Sequence, residues 1–325
     1  MLSMNLKKIA LYLLFSFGLS WGLAVLVGWT SLSESDGIGG LLIGVAYMWG
    51  PAVAVLVVQG LIYRKSLKPY GWQFERLRWR WLLLNALLPV AVLIATLGFV
   101  YLLGNLGQIE GFGYLDLSRE GMADRTDQLM IEAGQNPDDV GATFTDLELP
   151  VVLLFILMIF GGLVGGVTIN LIAAFGEELG WRGLLLTETR SLGYVKSSLL
   201  IGIIWGLWHA PLIYMGHNYP GYPWEGIGMM VLFCVAMSFL MNFLAMRAGS
   251  IVAPSGFHGV TNGLAGISLV LVHDANPLIG GVAGVAGVWG AGVVAILVLG
   301  SQNKILSQWT RQSYDPDEEE RLSQV

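Results

Sequence analysis

The stretch AAFGEELGWRGLLL, residues 173–186, sets two adjacent carboxylates, Glu177 and Glu178, and one guanidinium, Arg182, in one of the most apolar parts of a 325-residue chain. A charge at the centre of a membrane helix costs about 2.5–3.5 kcal/mol on insertion scales, so charges kept at such places are candidates for chemistry. On a helix, Glu178 and Arg182 are i,i+4 with the acid first, the favourable order for an ion pair. Glu177 is turned about 100° away and cannot share the guanidinium equally. A carboxylate beside a like charge and away from water holds a proton more firmly. That suits a general base, which takes a proton from water and gives it up again. Arg182 cannot be the base, because a guanidinium keeps its proton. The plainer alternative is a structural ion pair near the end of a span, where charge is less costly.

Three more polar side chains stand at membrane depth. His209, in IGIIWGLWHAPLIY, falls about 12 residues into an apolar segment, or roughly 18 Å at 1.5 Å per residue. Trp205 precedes it by one helical turn, and Pro211 follows, where a kink can open a polar cavity. His258 and Asn262, in APSGFHGVTNGLAG, are i,i+4 and share one helix face. Both can donate to a single point, as a developing oxyanion requires. Each also has a plain reading: a hydrogen-bonded structural histidine at 209, and a helix–helix polar contact at 258–262 aided by Ser255 and Thr261. Asn242 reads as an interhelical contact. His217 and His273 fall in expected outer loops and read as surface residues. Two acids, two histidines and an amide on three separate segments are harder to explain as packing. By depth, they converge on a cavity opening toward the cytoplasm.

The elements that must position these groups are membrane helices. The chain is 55% hydrophobic and 12% charged, against about 25% charged in soluble domains. A spanning helix needs roughly 20 apolar residues. Eight segments qualify: about 8–29, 39–63, 81–104, 149–174, 197–215, 227–246, 250–272 and 278–300. The expected fold is all-α and polytopic, with eight transmembrane helices around an intramembrane catalytic cavity. Residues 1–325 form one integral-membrane domain whose motif-bearing core is 150–275. With eight crossings, 15 of the 17 Lys and Arg residues lie on one side, and only Arg119 and Arg125 lie opposite. The positive-inside rule then puts both ends of the chain in the cytoplasm, in an integral protein of the plasma membrane. The basic, apolar N-terminal stretch is too long for a signal-peptide core and lacks an A-x-A site, so it reads as a retained first helix.

The loop 105–148 is acidic and extracytoplasmic, and holds either a short helix around 120–133 or a segment without fixed structure. Residues 301–325 read as a charged, solvated cytoplasmic tail. The last segment is dense in glycine, which lets helices approach closely. The single cysteine, Cys234, permits no internal disulfide. No internal repeat of the kind found in inverted-repeat transporters is evident.

Glu177-Glu178-x-x-x-Arg182, Trp205-x-x-x-His209 and His258-x-x-x-Asn262, in that order, resemble the CPBP intramembrane protease family. That family comprises CAAX prenyl endopeptidases and bacteriocin-processing or immunity proteins. The resemblance covers roughly 150–275, and the second motif usually opens with Phe where Trp205 stands. It implies an intramembrane glutamate-dependent endopeptidase. Glu177 would activate water with help from His209, His258 and Asn262 would stabilise the oxyanion, and Glu178 and Arg182 would hold the motif helix. The implied substrate is a prenylated or otherwise hydrophobic membrane-associated peptide, among membrane lipid and with no nucleic acid. No cofactor is expected. Zinc is the alternative, since Glu and His are zinc ligands, but no H-E-x-x-H is present. The rival readings are a noncatalytic scaffold or immunity protein, and a proton-coupled transporter.

Overall fold

The computed structural model describes residues 4–30, 37–72, 79–132, 134–137, 149–300, 302, 306–307 and 309–311. Arg76, Arg78, Lys304, the acidic residues between 138 and 148, and the tail beyond 311 lie outside the described residues.

The protein is an all-α, polytopic membrane protein. Its helices are α1 (Leu6–Gly28), α2 (Gly37–Val55), α3 (Trp79–Val100), α4 (Arg119–Glu132), α5 (Val151–Val167) and α6 (Ile169–Glu178), followed by α7 (Leu186–Thr189), α8 (Tyr194–Trp208), α9 (Ala210–Tyr214), α10 (Pro223–Ala248), α11 (Val252–Leu271) and α12 (Val285–Leu299). Wider π-helical turns extend α2 through Leu56–Ile62 and α3 through Tyr101–Leu106, and join α6 to α7 across Leu179–Leu185. Among the described residues the only strands are β1 (Tyr114–Leu115) and β2 (Val272–His273), paired antiparallel. The short helix expected near 120–133 is α4.

Among the described residues, four helices are long and apolar enough to cross a membrane: Leu6–Gly28, Leu42–Ile62, Leu83–Leu106 and Pro223–Ala248. A fifth is reached if Val151–Val167 and Ile169–Leu192, bent by 48°, count as one span. The bend falls at Thr168, whose hydroxyl donates to the Val164 carbonyl at 2.6 Å. Such back-bonding by Ser or Thr competes with the helical ladder and bends helices. The expected segment 197–215 is not continuous either. It breaks at His209, between α8 and α9, where Pro211 has no N–H to extend the ladder. The expected segment 278–300 shortens to the 15 residues of α12. The 20-residue α11 is continuous, but its apolar run is broken by Ser255, His258, Thr261 and Asn262.

The contacts sort the molecule into two ends. At one end, Lys8 Nζ pairs with Glu188 at 2.7 Å and Tyr70 bonds to Gln59 at 3.0 Å. There too Ile251 N–H donates to the Gly71 carbonyl, and Trp309 packs edge-on to Tyr194. At the other end, Asn276 donates to Tyr222 at 3.1 Å, Tyr219 donates to the Ala283 carbonyl at 2.7 Å, and β1 meets β2. Between them α11 is the central element, packed against α3, α5 and α6, while α10 packs on α8 and α12. The α5–α11 contact is backbone against backbone: a methyl group at Gly259 would lie 2.3 Å from the Gly166 carbonyl oxygen. That closeness is what small residues permit in helix pairs at membrane depth.

Candidate active site

The three motifs meet where α6, α8 and α11 converge. Glu177 and Glu178 are the last residues of α6, and Arg182 lies in the π-helical turn that follows. All three are buried, Glu177 at 2% exposure and the other two at 0%. Gly180 lets this turn lie against α1 and α2, since a methyl there would meet the Tyr12 hydroxyl at 2.2 Å and Pro51 at 2.7 Å.

The two carboxylates have different partners. Glu178 takes the expected i,i+4 pair, with Arg182 Nη1 at 3.1 Å from Oε1 and 3.0 Å from Oε2. Its Oε1 also accepts from His258 Nδ1 at 2.9 Å, across from α11. Arg182 in turn donates through Nη2 to Ser238 Oγ at 3.0 Å, and its guanidinium lies 4.4 Å from the Trp205 ring centre. Glu178 and Arg182 therefore tie α6, α8, α10 and α11 together. Glu177 accepts two indole N–H bonds on Oε2, from Trp205 at 2.7 Å and Trp181 at 3.3 Å.

His209 sits in the break between α8 and α9. Its backbone N–H turns back to the Gly206 carbonyl at 3.2 Å. That frees the Trp205 carbonyl, which the His209 ring takes through Nδ1 at 2.8 Å. A carbonyl only accepts, so Nδ1 carries the proton and Nε2 is the remaining polar atom. The Trp208 carbonyl, also at the break, accepts from Tyr47 Oη at 2.6 Å and Trp21 Nε1 at 3.0 Å. The polar cost of breaking a helix in an apolar medium is thus met by side chains. For His258, Nδ1 is committed to Glu178, and again Nε2 is left.

Glu177, His209, His258 and Asn262 line one cavity of about 340 Å³. Glu178 and Arg182 do not; they are packed behind it. Asn262 is exposed on the wall. The cavity contains space for a ligand near the lower end of the roughly 300–1,000 Å³ seen in binding sites. Its other walls are largely apolar, with Met230, Phe233, Met237 and Met241 on α10. Among the described residues no group of three or more His, Cys, Asp or Glu side chains is arranged to hold a metal.

Several expectations change. The cavity does not extend toward the end that holds Lys8 and Trp309. Its wall runs to His217, Asn218, Val282 and Ala283, at the end where Tyr219 meets Ala283. Trp181, Leu184 and Leu185, in the turn beyond Glu178, are fully buried and do not line it. His217 is exposed, as expected, but it also lines the cavity. His273 is not a surface residue: it is 7% exposed, in β2, stacked on Tyr114 at 5.2 Å. Asn242 makes an interhelical bond to Ser198 at 3.1 Å, as expected. The Trp205 donor to Glu177 and the Glu178–His258 bond had no signal in residue spacing, because they join residues 28 and 80 positions apart, whereas the Trp181 donor is i,i+4 from Glu177.

Residues 147–264 match the family model of type II CAAX prenyl endopeptidase Rce1-like proteins. A 50-residue stretch is 48% identical to CAAX prenyl protease 2 of Methanococcus maripaludis, covering 15% of this chain and 18% of that protein. The matched family segment contains all six residues singled out above.

Proposed function

We propose, for a chain whose residues 147–264 match the model of the Rce1-like CAAX prenyl endopeptidases, that it hydrolyses a peptide bond in a hydrophobic or lipidated peptide within the membrane. The observation that carries this reading is the sorting of the motif residues. Four of them line one cavity, and the ion pair that supports them is sealed behind it.

In this reading Glu177 takes a proton from water and His209 orients that water through Nε2. The new oxygen–carbon bond forms at the scissile carbonyl. His258 and Asn262 donate to the oxyanion. The carbon–nitrogen bond then breaks, and the proton held by Glu177 passes to the departing amine. Glu178 and Arg182 position the others: Glu178 fixes the His258 ring by holding Nδ1–H, which leaves Nε2 for the substrate. No metal enters this scheme. Stoichiometric zinc in the purified protein, lost together with activity on chelation, would overturn that part.

The proposed topology is eight crossings around this cavity, in a cell membrane, with the Lys8 end cytoplasmic. Two observations support it. Each expected segment contains a helix, and successive segments run alternately between the two ends defined by the Lys8–Glu188 and Tyr219–Ala283 contacts. The positive-inside rule supplies the orientation.

The test is cleavage in detergent, read by mass spectrometry, with farnesylated C-terminal peptides and unmodified hydrophobic peptides as substrates. Wild type should cut one class. Glu177→Gln should lose about 10²–10⁴-fold, the range of a general base, and Asn262→Ala about 10²–10³-fold, the range of one oxyanion donor. Both variants should remain folded. Absence of cleavage by folded wild type would favour a carrier or a noncatalytic scaffold.

A further inference from the structure

One titratable side chain of the cavity wall takes no part in the proposed hydrolysis. His217 lines the cavity together with Glu177, His209, His258 and Asn262, yet it belongs to none of the three motifs. It comes from the connection between α9 and α10.

That connection fixes its backbone. His217 N–H donates to the Leu212 carbonyl at 3.0 Å, and the His217 carbonyl accepts from Tyr219 N–H at 2.8 Å. The residues on either side are left-handed, Gly216 at φ 100° and Asn218 at φ 62°. Glycine adopts that region freely, and asparagine does so more readily than most side chains. Tyr219 anchors the turn. It is buried, a methyl group at Gly226 of α10 would lie 2.7 Å from its Cβ, and its hydroxyl donates to the Ala283 carbonyl at 2.7 Å. The His217 ring, by contrast, makes no hydrogen bond among the described residues. It is within electrostatic reach of His209, which puts it on the cavity side of its loop.

The donors of the cavity wall show what this ring adds. Tyr47 Oη is spent on the Trp208 carbonyl, Trp205 Nε1 on Glu177 and Thr261 Oγ1 on the Phe257 carbonyl. Trp208 Nε1 is sealed from solvent. His209 and His258 have each committed Nδ1, and no Lys or Arg lines the cavity. With Asn262 assigned to the oxyanion, the strong donors left over are His217 and its neighbour Asn218, both exposed on the wall. A peptide brings carbonyl oxygens that lose water on entry, and an oxygen left unpaired is costly. A few fixed polar groups in an apolar wall are what orient a ligand.

We propose that His217, with Asn218 beside it, is a substrate-binding residue: the two side chains donate hydrogen bonds to a peptide oxygen other than that of the scissile bond, a main-chain carbonyl or a terminal carboxylate. This rests on the protease reading above and deepens it by naming what grips the peptide. A contact made equally in the ground state and the transition state sets KM and leaves kcat alone.

The test measures binding and cleavage separately. Peptides of the farnesylated and unmodified classes, fluorescent at the N-terminus, are made as free acids and as C-terminal amides. Binding is read by fluorescence anisotropy in detergent on Glu177→Gln, alone and combined with His217→Ala, His217→Gln or Asn218→Gly. Glycine at 218 keeps the left-handed turn and removes only the amide. His217→Ala should weaken binding about 2–10-fold if the acceptor is a neutral carbonyl and at least about tenfold if it is a carboxylate, as neutral and charge-assisted hydrogen bonds differ. Asn218→Gly should weaken it in the same direction, and His217→Gln, which restores a donor, should recover most of the loss. Loss confined to the free acids identifies the terminal carboxylate; equal loss on acids and amides identifies a main-chain carbonyl. With Glu177 intact, His217→Ala should raise KM by the same factor at constant kcat. An unchanged Kd in folded His217→Ala, or a fall in kcat at constant KM, would overturn the assignment. Weaker binding by His217→Ala of a peptide that the wild type does not cut would leave the assignment standing and remove the protease reading. Peptides that do not bind Glu177→Gln at all would overturn both.

Discussion

Glu178 carries two bonds that its neighbour does not, and this gives the adjacent carboxylates different sensitivities. It neutralises a fully buried guanidinium and holds a histidine from another helix. Removing one member of a buried ion pair typically costs about 3–5 kcal/mol, because the other charge is left without compensation. Glu178→Gln should therefore unfold at lower temperature in detergent and lose cleavage through displacement of His258. An unchanged melting temperature would show that Arg182 finds enough compensation in Ser238. Trp205→Phe separates packing from hydrogen bonding. The ring would still cover Arg182, but the 2.7 Å donor to Glu177 would be gone. A hydrogen bond to a charged group is worth about 1.5–3 kcal/mol, so kcat should fall about tenfold or more with KM unchanged. A full rate would show that the Trp181 donor suffices alone.

At the scale of elements, the site depends on helices that are interrupted in particular ways. The break after α8 frees the carbonyl that fixes the His209 ring. The wide turn after Glu178 carries Arg182 at its inner face, with glycine where α1 and α2 press closest. The register of α11, and with it His258 and Asn262, is set by contact with α5 at Gly259 and Gly166. Gly259→Val should be strongly destabilising, since the backbone carbonyl 2.3 Å from the added carbon cannot move as a side chain can. Reduced yield and loss of thermal stability would measure this. A variant of wild-type stability would mean that α5 can slide away without cost.

For the whole molecule, the count of crossings is the central quantity. Among the described residues, length and composition license four membrane-crossing helices, or five with the bent pair. The alternation of segments between two contact-defined ends argues for eight. The α8, α11 and α12 segments would then cross while being short or polar, shielded by α3, α5 and α10. Cysteine accessibility at Arg64 and Asn136, on opposite sides of α3 in the chain, checks one part of this alternation. Impermeant reagent should reach Asn136→Cys from outside and Arg64→Cys only in inverted vesicles. Labelling of both from one side would remove the crossing by α3 and with it the proposed count.

The sequence alone determined the membrane class, the motif residues and the Glu178–Arg182 pair. These follow from composition and from i,i+4 spacing, both of which are local. The helix interruptions at Thr168 and His209 were only half legible. Pro211 was visible as a kink, but Thr168 bends its helix through a hydroxyl bond that many threonines never make. The tertiary structure alone decided which carboxylate faces the cavity and what holds His258. Each depends on contacts between residues far apart in the chain. The Trp205–Glu177 and His258–Glu178 bonds exist because α8 and α11 pack beside α6. Glu177 lines the cavity and Glu178 does not because Glu178 is turned to Arg182 and His258. Periodicity assigns a residue to a helix face; only packing decides what that face meets.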